Sequence, residues 1–96
     1  MRQRYIVAYD VSDPKRLREI FKKMRGFGDP VQYSVFQCDL STVEKILMIS
    51  EVSKIINHSV DQVIIIDIGP AEGRGDHCIE VMGCSKPPRE RHAVVV

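Results

Sequence analysis

The sequence has no tryptophan, aromatics make up 6% of it, and three cysteines and three histidines are spread over its 96 residues. Apolar runs such as residues 5–9 and 63–66 are short, far below the roughly 20 residues a membrane helix needs. Residues 1–11 are charged and then strand-like, without the apolar core and small-residue cleavage site of a secretory signal, so a cytoplasmic location is expected. No Cys-x-x-Cys pair occurs, and Cys38, Cys78 and Cys84 are odd in number, which fits reduced thiols better than a disulfide framework. Zinc is disfavoured on the same ground: on a strand, Cys78 and Cys84 would lie roughly 20 Å apart, and His77 and His92 add no paired ligand spacing. Low complexity and repeats are absent, and a chain this short has room for one domain with a thin core, for which pairing with a second copy is a common remedy.

What the chain does have is a charge asymmetry hidden behind a net charge of +1. Residues 1–25 hold eight of the fourteen basic residues against three acids, whereas residues 26–68 hold two against six. The molecule is therefore expected to be electrically lopsided, with its cations near the N-terminus.

Residues 4–11 are a short β-rich apolar run, followed by Asp13 as an N-cap and Pro14 at the first helical position. The helix expected over 14–25 places Leu17, Ile20, Phe21 and Met24 on one stripe, with Gly26 where a left-handed C-terminal residue is wanted. At 100° per residue, Lys15, Arg18, Lys22 and Arg25 share one flank of that stripe, a basic ridge suited either to solvent or to a phosphate track. Residues 31–39 alternate as one strand. Ser41 and Glu44 form a capping-box signature opening a helix over 42–57.

In that second helix Val43, Ile46 and Leu47 make one face, while Met48, Ile49, Val52, Ile55 and Ile56 spread over the rest. This is more apolar surface than one sheet consumes, which points to a partner. Residues 62–68 read as a central strand covered on both sides, residues 69–76 as a loop, 78–83 as strand-like, and 93–96 as a short edge strand. The expected organisation is an α+β domain over 1–84, an open-faced sandwich, with 85–96 as a C-terminal tail or edge strand arm. Tyr5, Tyr9, Tyr33 and Phe36 are expected in the core rather than as platforms for bases. Asp10 ends the first strand; one carboxylate cannot by itself hold a catalytic magnesium, but a two-fold axis would bring two together.

The stretches Tyr9-Asp10-Val11-Ser12-Asp13-Pro14-Lys15-Arg16-Leu17, Gly26-Phe27-Gly28 and Val31-Gln32-Tyr33-Ser34-Val35-Phe36-Gln37-Cys38 together resemble the CRISPR-associated endoribonuclease family, the smaller of the two universal spacer-acquisition proteins. The resemblance implies a ferredoxin-like fold and a homodimer in which Asp10 of each protomer shares a divalent metal, magnesium, near the two-fold axis. It implies either of two roles. One is bridging of CRISPR integrase dimers while protospacer DNA lies across the protein, with Lys15, Arg18, Lys22 and Arg25 on the phosphates. The other is metal-dependent cleavage of RNA or DNA phosphodiesters by Asp10, assisted by Ser12 or Arg16. The family's fold requires a β-hairpin between the helices, where the periodicity shows one strand, and Pro30 stands where some relatives carry a basic residue. Arg74, Lys86, Arg89 and Arg91 of the arm are further candidates for contact with DNA or the integrase. A small-molecule regulatory module is the reading from another class, since ferredoxin-like domains host many functions.

Overall fold

A computed structural model describes residues 2–73 and 78–84. The order is β1 (Gln3–Asp10), α1 (Pro14–Met24), β2 (Asp29–Gln32), β3 (Val35–Leu40), α2 (Thr42–Ile55) and β4 (Gln62–Pro70). The strands form one antiparallel sheet ordered β2-β3-β1-β4, with Ile6 opposite Gln37 and Ile66, and Ala8 opposite Val35 and Ile64.

Alternation along the strands decides which face is covered. Tyr5, Val7 and Tyr9 of β1 and Phe36, Cys38 and Leu40 of β3 are buried in one cluster with Ile20, Phe21 and Met24 of α1 and Met48 and Val52 of α2. Both helices therefore cover the same face, and the other face carries Arg4, Ile6, Ala8 and Asp10 of β1. Tyr5, Tyr9 and Phe36 are core residues as expected, whereas Tyr33 is half-buried at the margin; Phe36 stacks on Tyr9 and meets Phe21 edge-on.

Several expectations are corrected. The single strand over 31–39 is a hairpin, β2 and β3 joined at Tyr33-Ser34. This turn has no glycine and no residue of positive φ outside glycine, so it lacks the Asn-Gly chemistry by which hairpins are read. It is held from outside instead: the Tyr9 hydroxyl donates to the Tyr33 carbonyl at 2.9 Å, and the Tyr9 amide to the Ser34 carbonyl at 3.0 Å. β4 is an edge strand, not a central one, and its Ile64 and Ile66 are 46% and 47% exposed. A bulge where the β1 register shifts between Arg4 and Tyr5 is accommodated by Gly69 at φ 108°.

In α2 the sequence left the buried face open, and the structure selects it. Met48 and Val52 are buried and Ile55 and Ile56 pack against the core, whereas Val43, Ile46, Leu47 and Ile49 are exposed. A helix apolar on all sides carries no period from which to choose the buried face. α1 ends at Met24 rather than at residue 25, and Gly26 is not left-handed. The amides of Gly26 and Phe27 donate to the Lys23 and Met24 carbonyls, so the helix unwinds through a right-handed turn. α2 stops at Ile55, short of residue 57. Residues 78–83 form no strand, while the edge strand expected over 93–96, the tail 85–96, Arg74, Lys86, Arg89, Arg91, His77 and His92 lie outside the described residues.

Candidate nucleic-acid interface

The first turn of α1 is built by the loop that leaves β1. Asp13 caps the helix, accepting from the Arg16 amide at 2.9 Å, and Pro14 supplies the fixed φ of the first helical position. With Leu17, Ile20, Phe21 and Met24 turned to the core, helical geometry puts Lys15, Arg18, Lys22 and Arg25 outside. All four lie on the outer side of the helix, and none is in an ion pair among the described residues.

The other cations are differently placed. Arg4 makes a two-pronged bond to Asp39 at 2.7 and 2.8 Å, and its guanidinium holds the Asp39 carboxyl below the usual range. Arg2 grips Glu44 at 3.0 and 2.9 Å, which with the Ser41 amide pushes that carboxyl down to about 2. Glu51 lies between Lys23 and Lys54, 3.1 Å from each, and its pKa falls accordingly. These cations are engaged by carboxylates, and Lys45 of α2 lies 4.8 Å over the Tyr5 ring, whereas the four of the α1 ridge face solvent.

Arg16 belongs to this second group. Its Nε and Nη2 donate to Asp61 at 2.8 and 3.2 Å, and Asp61 also accepts from the Asn57 amide at 2.8 Å. Those bonds lower the Asp61 pKa and raise that of Arg16. The Asp61 side chain has no exposed surface, under a covering thin enough that hydrogen bonding outweighs desolvation. Asp61 escaped the sequence reading because an aspartate just before a strand looks like any loop residue. The only local trace is Asn57 four positions earlier, whose amide it accepts.

Asp10 ends β1 opposite Gln62 and is exposed, on the face away from the helices; its carboxylate makes no hydrogen bond or ion pair among the described residues. Ser12 is exposed in the following loop, equally without a side-chain partner among them. The fold thus brings Asp10, Ser12 and Arg16 to one end of the sheet but sets Asp10 and the basic ridge on opposite sides of it. No three His, Cys, Asp or Glu side chains converge on a metal-sized site among the described residues. By itself Asp10 offers oxygens free of protein partners among the described residues, fewer than the several a divalent ion such as magnesium takes. No helix among the described residues is long and apolar enough to cross a membrane.

Residues 1–73 match the model of the family described as CRISPR associated protein Cas2. The chain is 44% identical over 92 residues to the CRISPR-associated endoribonuclease Cas2 1 of Rhodospirillum rubrum, covering 96% of this chain and 89% of that protein. It is 42% identical to the CRISPR-associated endoribonuclease Cas2 of Geobacter sulfurreducens over 96 residues, the full length of both. Among solved structures it resembles a hypothetical protein, TT1823, from Thermus thermophilus (TM-score 0.75, 26% identity, 90% of this chain and 96% of that one). It also resembles Streptococcus pyogenes Cas2 (TM-score 0.73, 28% identity, 83% of this chain and 99% of that one). Family model, full-length relatives and fold agree with the motifs around Asp10 and Phe36, and the chain belongs to the CRISPR-associated Cas2 family.

Proposed function

We propose that this chain is a homodimeric adaptor of spacer acquisition that binds protospacer DNA along the α1 ridge and bridges dimers of the CRISPR integrase. The observation that carries the reading is the sorting of charge: four cations of one helix flank stand outside and uncommitted, while their neighbours are consumed in ion pairs. A row of unneutralised cations is what displaces counterions from a phosphate backbone. Strand order β2-β3-β1-β4 with both helices on one face supports a ferredoxin-like sandwich as the protomer. The open face supplies the surface for pairing: Ile6, Ala8, Ile64 and Ile66 are neighbours across β1 and β4, and covering such a face gains about 25 cal/mol per Å².

A second reading, metal-dependent cleavage of RNA or DNA, is favoured by Asp10 itself. Its carboxylate is free of protein partners among the described residues and stands at the rim of the open face, so face-to-face pairing brings two copies of it toward each other. With magnesium bound between them, the ion would supply Lewis-acid polarisation of a phosphodiester and an activated water. Ser12 sits within the same loop to hydrogen-bond a phosphate oxygen.

Spacer integration with the cognate integrase and protospacer DNA separates the two. The adaptor reading expects Asp10→Ala to integrate normally and a variant with Lys15, Arg18, Lys22 and Arg25 replaced by glutamine to fail. Loss of integration in Asp10→Ala, with the dimer intact, would reverse the ranking.

A further inference from the structure

Arg16 and Asp61 join the first turn of α1 to the loop before β4. Asp61 fixes the guanidinium from one side only, through Nε and Nη2, and is itself fixed by the Asn57 amide. The remaining nitrogen, Nη1, stands 3.9 Å from Asp13, too far for a hydrogen bond, while Asp13 caps the Arg16 amide. Arg16 retains a quarter of its side-chain exposure. A guanidinium carries five N–H donors; here two are spent, and the outer Nη1/Nη2 edge remains, held rigid, on the same first turn as Lys15.

We propose that Asp61 is a positioning residue that holds the outer edge of Arg16 for a two-pronged bond to a backbone phosphate of bound nucleic acid. The inference rests on the reading that α1 faces nucleic acid, and it adds a directional contact to the diffuse attraction of the ridge. Lys15, Arg18, Lys22 and Arg25 act as untethered charges, whereas a buried carboxylate gives Arg16 one orientation, so little rotamer freedom remains to be lost on binding. It also makes the sign of a substitution informative. Removing a carboxylate near a polyanion strengthens binding by Coulomb's law alone; removing one that aims an arginine weakens it.

The test is anisotropy titration of a fluorescent DNA duplex, and of an RNA strand of equal length, with the full chain over a range of salt. Asp61→Asn keeps one oxygen for Arg16 Nε and the Asn57 amide but sets an NH2 against Arg16 Nη2 and removes the charge; we expect about tenfold weaker binding, and no such loss when Arg16 is already glutamine. Arg16→Lys, which keeps the charge and loses the fork, is expected to weaken binding as Arg16→Gln does. Arg16→Gln should also reduce the salt slope by about 1. Equal or tighter binding by folded Asp61→Asn overturns the proposal. Should that variant not fold, unchanged affinity of Arg16→Lys overturns it independently. The ridge variant runs in the same titration: if it too binds like the wild type, the nucleic-acid reading fails rather than the role of Asp61 alone.

Discussion

Gly28 shows how a single missing side chain shapes the layer behind the ridge. A Cβ there would lie 2.3 Å from the Gln37 carbonyl oxygen and 2.6 Å from the Cys38 sulfur, so only glycine lets the chain leaving α1 press against β3. Gly28→Ala is expected to destabilise by about 2 kcal/mol, read as a drop in melting temperature. The Cys38 thiol beneath it is fully buried and pushed up to about 12 by desolvation, whereas Cys78 and Cys84 are exposed. A thiolate-selective reagent at neutral pH should therefore label two cysteines in the native protein and three after denaturation, counted by mass. Asp10 and Asp61 divide the carboxylate roles: one is left open to a ligand, the other is consumed in aiming an arginine.

At the level of elements, α2 provides the sharpest tests. Because Met48 is buried and Leu47 is 52% exposed, Met48→Ala should cost about 2–5 kcal/mol and Leu47→Ala under about 1; comparable losses in denaturant melts would mean the helix is rotated. Its N-terminus depends on Glu44, which accepts from both the Ser41 amide and Arg2. With a folded pKa of about 2 against an ordinary 4.5, the Glu44 contribution is complete above about pH 4.5 and is lost as pH falls toward 2. The melting-temperature gap between wild type and Glu44→Gln should close over that window, and shrink in salt because the pair is exposed. The hairpin and α2 were the elements least legible in sequence. Tyr33-Ser34 turns because Tyr9 holds it, and α2 lacks the polar side that would have revealed its orientation. α1, by contrast, announced its cap, its stripe and its ridge, since each lies within four residues of the next.

For the whole molecule, the open sheet face, the outer face of α1 and the apolar stripe of α2 are surfaces left uncovered among the described residues. If the proposed dimer pairs through the first, a charge on its β4 side, Ile66→Lys, is expected to shift sedimentation toward the monomer. Neutralising the ridge should leave the dimer intact and flatten the salt dependence of DNA binding by about 0.9 for each phosphate the protein no longer neutralises. A dimer that survives Ile66→Lys would move the pairing surface elsewhere, the exposed Val43, Ile46 and Leu47 of α2 being the other uncovered apolar stripe.

Local spacing was enough to determine the two helices, their N-terminal caps, the strand that ends at Asp10 and the row of four cations, because each depends on neighbours within one continuous segment. Sequence also carried the family, through the short stretches around Asp10 and Phe36. Tertiary structure alone decided which side of α2 is buried, that β4 stands at the sheet edge, and that Asp61 reaches back 45 residues to Arg16. It also set Asp10 and the ridge on opposite sides of one sheet. Those outcomes rest on pairings between distant strands and loops, and no periodicity within a segment encodes which neighbour it will meet.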